Sequence, residues 1–305
     1  MNIVDITNQM LSLFMLLIMG YIAFKVHITS DEAIRNLTRL VLNVSLPAQV
    51  LVSFLSNRGK VSNMDLLEGT GVCLLSYAIY VCIALVFLVL TRAPKKQWGT
   101  YIFMLMFGNV GFMGYPVIQS IFGMEAMIYA VLFNVTFCLL AYSVGILMIG
   151  GKSAGKINLK QMVTAPMILS VISLILFFTD IPMPVCVEDT LHYLGELTTP
   201  LAMIIIGGII AQMQVKEIFD DWRMFVFTAV RLLAAPAVIL LVMNLIHEQQ
   251  FLIRGTAVVL AGTPVATNAT MLAIQYDGDV HMVSKGIFFS TILSVVTIPI
   301  VTMWL

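Results

Sequence analysis

Long apolar runs, each closed by a cluster of charged or turn-forming residues, recur ten times along the chain. They fall near residues 6–24, 33–54, 69–90, 98–122, 126–149, 162–178, 187–213, 224–246, 251–276 and 282–304. A helix needs about 20 predominantly apolar residues to cross a bilayer. These runs have that length, and none shows the strict two-residue alternation of a half-buried strand. The pattern predicts ten membrane-spanning helices with short connections. The entries to spans 2 and 7 carry Arg35, Arg39, Glu188 and Glu196 and are the least apolar.

Composition sharpens the picture. Of the 305 residues, 60% are hydrophobic and only 10% charged. A soluble domain carries about 25% charged residues to face water. The numbers therefore exclude a soluble enzyme, a nucleic-acid binder and a disordered chain, and leave the lipid bilayer as the surroundings. Cys73, Cys82 and Cys138 lie inside apolar runs, and no CxxC or Cys/His cluster accompanies them or Cys186. A disulfide framework or zinc site is not expected. The start, MNIVDITNQM, lacks the basic segment of a signal peptide, so the first run is expected to remain as a span.

The net charge is zero, but the placement of the charges is informative. Connections 1–2, 3–4, 5–6, 7–8 and 9–10 hold Lys25, Arg35, Arg39, Arg92, Lys95, Lys96, Lys152, Lys156, Lys160, Lys216, Arg223 and Lys285. The opposite side holds Arg58, Lys60 and Arg254. Basic residues accumulate on the cytoplasmic side. Twelve against three puts the odd-numbered connections inside the cell and both termini outside, in the cell (plasma or inner) membrane.

The chain also reads as two halves, 1–150 and 151–305. Pro47 matches Pro200, Gly108 matches Gly262, Phe122 matches Tyr276 and Thr136 matches Thr291, all at offsets of 153 to 155 residues. Each half holds five spans. Five is odd, so the second copy must lie inverted in the membrane relative to the first. Many secondary transporters are built this way.

Spans 4 and 9 are the unusual ones. Span 4, WGTYIFMLMFGNVGFMGYPVIQSIFG, gathers Gly108, Gly111, Gly114 and Pro116. Span 9, FLIRGTAVVLAGTPVATNATMLAIQY, gathers Gly262, Thr263, Pro264, Thr267, Asn268 and Thr270. Proline removes a backbone donor, and glycine lets the chain leave helical geometry. Backbone groups freed inside a membrane must line a protein-enclosed cavity. Two broken helices meeting at the midplane would expose amide donors where helix dipoles favour anions. Asn109 and Asn268 would add side-chain amide donors without a fixed charge. The plainer alternative is a pair of packing kinks with Asn and Thr bonded across helices. The matched placement of the clusters favours a binding site of Asn109, Gly111, Pro116, Asn134, Pro264, Thr267 and Asn268. Asn134 joins them because span 5 follows the first break directly.

At GNVGFMGYPVIQSIFG, LTTPLAMIIIGGIIAQ, AGTPVATNATMLAIQYDGD and FFSTILSVVTIP the sequence resembles the auxin efflux carrier family, within the bile acid/arsenite/riboflavin transporter superfamily. The resemblance covers nearly the whole chain. It implies an all-α polytopic membrane protein: ten transmembrane helices as two inverted five-helix repeats, with broken crossover helices 4 and 9. It also implies a scaffold domain, a transport domain and a substrate site at the crossover. The substrates it implies are organic anions, auxin in plants and malate or malonate in bacteria. The short 5–6 connection resembles the bacterial branch. Plant carriers have a proline beside the span 4 asparagine. Here Val110 follows Asn109 and the proline comes later, at Pro116, so the resemblance does not place the first break.

Other polar residues need accounting. Asn43, Ser45 and Gln49 on span 2 and Asn134 and Thr136 on span 5 are expected mainly to cap freed carbonyls. Arg231 is the basic residue well inside a span. It could meet a carboxylate substrate. The reading preferred here is that it snorkels to the cytoplasmic boundary or pairs with Asp220 or Asp221. Asp277 and Asp279 are expected to cap the end of span 9 or pair with Lys285. The 21 methionines read as adaptable packing.

The expected function is a secondary carrier of small organic anions, mono- or dicarboxylates, working by alternating access. No ATP-binding GxxxxGK[ST] is present. A channel or membrane sensor on the same fold is the alternative. An intramembrane aspartyl enzyme is disfavoured, because YDGD has no second intramembrane Asp to act with. No cofactor or nucleic-acid partner is expected. Sodium coupling, proton coupling and uniport all stay open, and the reading leaves room for a homodimer.

Overall fold

The computed structural model describes residues 3–57, 59–151, 168, 172, 183–212, 221–246 and 250–305. Its helices are α1 (Ile3–Lys25), α2 (Asp31–Ser56), α3 (Asn63–Thr91), α4 (Trp98–Met106), α5 (Val110–Phe122) and α6 (Met124–Gly150). They continue as α7 (Val185–Gln212), α8 (Trp222–Leu245), α9 (Phe251–Ala261), α10 (Ala269–Gln275) and α11 (Val280–Thr302). Six of these, α2, α3, α6, α7, α8 and α11, are long and apolar enough to cross a membrane. The protein is therefore a multi-pass membrane protein, and its described residues form helices with no β-strand. Predicted span 2 is helical throughout despite its charged entry, and span 7 is helical from Val185 to Gln212 with one turn residue, Leu197, between Val185–Glu196 and Thr198–Gln212. Predicted span 6 lies outside the described residues except for 168 and 172.

Local chemistry sets the helix ends. Ser30 caps α2 by accepting from the Ala33 amide at 3.2 Å. Ser62 and Asp65 form a reciprocal box at the start of α3: each backbone amide donates to the other's side chain, at 2.8 and 3.1 Å. Asp221 and Asp279 cap α8 and α11 by accepting from Arg223 N and Met282 N. Asp279 thus starts the helix after span 9 and does not cap the end of span 9, because its carboxylate faces the orphan amides of α11.

Four π-helical turns interrupt the described helices, at Val41–Ser45, Val110–Gly114, Ala141–Gly145 and Val230–Ala234. Three of them precede a proline by two residues: Pro47, Pro116 and Pro236. A helical proline offers no N–H and crowds the carbonyl four residues earlier. A wider turn relieves that crowding without ending the helix. Asn43 lies in the first such turn and donates its side-chain amide to the Arg39 carbonyl at 2.8 Å, as expected of a carbonyl cap.

Contacts divide the chain into two units. The first comprises Met1–Leu67, Gly111–Val135 and Val163–Met213; the second comprises Glu68–Val110, Thr136–Met162 and Gln214–Leu305. The expected boundary at 150/151 concerns duplication rather than contact, so this division does not bear on it.

In the first unit α1 packs along α7 at backbone distance. A Cβ on Gly207 would overlap the Leu17 carbonyl, and one on Gly20 would overlap that of Ile204. Lipid gives helices no hydrophobic reason to associate, so close approach through small residues supplies the contact. We expect Gly207→Ala to destabilise the protein by about 1–3 kcal/mol, the cost of overpacking. Gly71→Ala on α3 meets nothing within 4 Å and should stay within about 0.5 kcal/mol of wild type. Thermal unfolding in detergent checks both; equal effects would remove the packing account. The same unit buries Gln49, which donates to Gln119 Oε1 at 2.7 Å, and Thr199 donates to that oxygen at 3.2 Å. Gln49 therefore bonds a side chain rather than the freed carbonyl expected of it.

The second unit holds α3 from Glu68, α4, the end of α6, and α8 to α11. An aromatic cluster of Phe87, Tyr101 and Phe227 lies in its core, with ring centroids 5.0 to 6.2 Å apart.

Candidate functional site: a crossing of two broken helices

Both predicted breaks are present. The first opens at Phe107–Asn109, before Pro116, with Phe107 in extended geometry (φ −106°, ψ 94°). Pro116 lies within α5, about two turns beyond the break, and its strain is absorbed by the Val110–Gly114 turn. The second opens between Ala261 and Ala269.

The two breaks satisfy each other. Gly108 and Val265 form an antiparallel bridge. Asn109 N donates to Pro264 O at 2.8 Å, and Ala266 N donates to Phe107 O at 3.0 Å. Val265 N donates to Ser290 Oγ on α11 at 3.0 Å. A buried backbone group without a partner costs about 1–3 kcal/mol. The pairing explains why both helices open at this level: each supplies what the other lost. Sequence reasoning supplied the breaks but not the pairing.

Arg231 completes the crossing. It is buried in the π-turn of α8. Its Nη1 donates to Leu105 O at 2.7 Å, its Nε to Thr263 O at 3.0 Å, and its Nη2 to Thr263 Oγ1 at 3.4 Å. Thr263 Oγ1 in turn donates to Leu260 O at 2.6 Å. The guanidinium carbon lies 5.5 Å from the centre of the Tyr80 ring, a cation–π contact. The expectation that Arg231 snorkels or pairs with an Asp is corrected. Asp221 instead lies 3.7 Å from Arg223, and Asp220 is outside the described residues. The physical reason is the pair of helix ends beside Arg231. Each helix C-terminus carries about half a negative charge. α4 and α9 both end here, so together they offset one guanidinium. Gly108 makes room for it: a Cβ there would overlap Nη2 of Arg231 and Oγ1 of Thr263.

The predicted site residues divide between the units. Asn109, Pro264, Thr267 and Asn268 belong to the second, and Gly111, Pro116 and Asn134 to the first. The structure brings Asn109 and Pro264 together by the backbone bond given above. Asn268 stands at the N-cap of α10 and donates its side-chain amide to Tyr142 Oη at 3.4 Å. Among the described residues its Oδ1 is buried with no hydrogen-bond partner. Thr267 and Asn268 are half-buried, whereas 261–266 are buried. The accessible edge of the second break is thus uncharged and polar, and its carbonyl-bearing side lies under Arg231. No Asp or Glu occurs in 98–122 or 251–276.

Sequence reasoning missed Tyr142, Ser290 and the role of Arg231. A lone arginine five residues before Pro236 was the available signal for the last. Tyr142 and Ser290 had none, since a hydroxyl on a span usually bonds its own helix, as Ser290 also does to Gly286 O.

Discontinuous helices that meet inside a multi-pass helical protein recur in secondary transporters. The chain belongs to the membrane transport protein family, whose sequence profile matches residues 5–157 and 152–302; this is the auxin efflux carrier family that its segments resemble. It is 29% identical to an "Uncharacterized transporter" of Methanothermobacter thermautotrophicus over 302 residues, 96% of each chain. It is 26% identical to a "Putative malonate transporter" of Rhizobium meliloti over 312 residues, 96% of this chain and 94% of that one.

Proposed function

We propose that the protein is a secondary carrier of small organic anions, mono- or dicarboxylates, which reach the crossing from either side of the membrane by alternating access. The observation that carries this reading is the charge arrangement at the crossing. Among the described residues it holds no carboxylate, a guanidinium bonds a carbonyl at each break, and its accessible edge is uncharged and polar at Thr267 and Asn268. A carboxylate entering the membrane loses hydration and needs convergent donors. The Rhizobium relative's name, which refers to malonate, agrees with that chemistry. Gly111, Pro116 and Asn134 are kept as proposed substrate-binding residues on the strength of the sequence pattern alone. The surrounding frame we propose is ten spans in two inverted repeats, 1–150 and 151–305, in the cell membrane, with both termini outside.

Uptake of radiolabelled malonate, malate and indole-3-acetate into proteoliposomes tests the function. Saturable uptake accelerated by unlabelled anion on the far side is expected. Uptake without counterflow would indicate a channel, and a preference for a neutral or cationic compound would sink the anion reading. For the frame, a cysteine replacing Ser153 should react with impermeant maleimide only from the cytoplasmic side. Labelling from outside intact cells would reverse the orientation.

A further inference from the structure

The carbonyls at a helix C-terminus are partially negative, and transporters with broken helices use such carbonyls to hold a coupling sodium ion or proton. In this protein one carbonyl at each of the two breaks is already engaged by a cation of the chain itself. Leu105 O, Thr263 O and Thr263 Oγ1 all accept from one buried guanidinium. Two further features fit that group rather than a transient ion. The backbone at Gly108 lacks the Cβ that would overlap Nη2, and the Tyr80 ring lies against the guanidinium carbon. The cation is covalently part of α8, and an arginine does not release its proton in a protein.

We propose that Arg231 is a built-in replacement for a coupling cation at this crossing, so that the protein holds its crossing together without sodium. The inference rests on the carrier reading only for its consequence: the charge moved per cycle is that of the substrate, and the membrane potential drives it. Arg231 is a positioning residue, acting through the backbone of 105–109 and 260–266. Replacing it should expose the vacated oxygens to solvent cations.

The test compares purified, sodium-free protein in sodium chloride and in choline chloride at equal ionic strength. Wild type should unfold at the same temperature in both salts and, if it transports, take up malonate at equal rates in both. Arg231→Ser should unfold at a lower temperature, and sodium should raise that temperature saturably while choline does not. Arg231→Lys keeps a positive charge with fewer donors. It should be less stable than wild type and, like wild type, insensitive to sodium. Saturable sodium stabilisation of wild type would overturn the proposal. So would an Arg231→Ser protein that unfolds cooperatively yet ignores sodium. If Arg231→Ser shows no cooperative transition, a sodium-dependent Arg231→Lys overturns it and a sodium-insensitive one supports it. Absence of malonate uptake in either salt would count against the carrier reading alone, because the thermal comparison needs no substrate.

Discussion

Asn268→Asp is expected to abolish anion uptake, and to do so more fully than Asn268→Ala. The substitution places a negative charge on the accessible polar edge where the substrate carboxylate is proposed to bind. Two like charges about 4 Å apart repel by about 4 kcal/mol at an effective dielectric near 20. That is roughly a thousandfold in affinity. Alanine removes only the amide: its bond to Tyr142 and its bond to the substrate, about 1–3 kcal/mol for the latter. Neither change should unfold the protein, since Asn268 is half-buried and no side-chain cap of α10 is lost. Acid distinguishes the cause. The introduced carboxyl repels the substrate only while it is ionised. Lowering the pH below its pKa neutralises it, so uptake by Asn268→Asp should partly return in acid, while Asn268→Ala should gain nothing. Equal behaviour of the two variants across pH would show that no substrate charge comes near Asn268.

The second large effect is a coupling between Gly108 and Arg231. Arg231→Ala leaves Leu105 O and Thr263 O without their donor, at about 1–3 kcal/mol each. Relief of the buried guanidinium's desolvation offsets part of that loss. Gly108→Ala should cost a comparable amount in wild type, because its methyl group enters space held by Nη2. In the Arg231→Ala background the overlap with Nη2 is gone and only that with Thr263 Oγ1, the end of a short side chain that can turn aside, is left, so the same glycine change should cost less. Stabilities of the four proteins, from chemical or thermal unfolding in detergent, give the coupling directly. We expect it to exceed about 1 kcal/mol. Additivity within about 0.5 kcal/mol would mean that the two residues do not share the space.

The six long apolar helices were legible because lipid is a uniform solvent. Every lipid-facing backbone group must be bonded within its own helix, so length and hydropathy alone mark the candidates. The breaks were legible for a related reason. Gly108, Gly111 and Pro116, and Gly262 and Pro264, weaken helices by local sterics that operate whatever surrounds them. Even so, the residue that breaks a helix is not always the residue one would choose. Pro116 is the strongest local breaker in its segment, yet α5 continues through it and the chain opens at Phe107. A π-turn can absorb a proline, whereas the pairing with 264–266 rewards an opened backbone only at 107–109.

Arg231 marks the limit of local reasoning. From sequence it is a cation about two turns inside a span, and snorkelling or an aspartate partner is the least costly local solution. Its actual partners are backbone carbonyls at Leu105 and Thr263, more than one hundred and about thirty residues away, and no residue type announces a carbonyl's availability. Only the ending of α4 and α9 at one place creates two half-charges for a single guanidinium to meet. Gly108 shows the same division. Its type told of a flexible backbone, but that its missing Cβ is the space of an arginine follows from three separate segments converging. Hydropathy and the placement of weak points along the chain were thus determined by the sequence alone, because each depends on a residue and its immediate solvent. The pairing of the breaks, the partners of Arg231 and the setting of Asn268 beside Tyr142 were decided by tertiary structure, because hydrogen bonds and helix-end charges act between segments that the chain brings together only when folded.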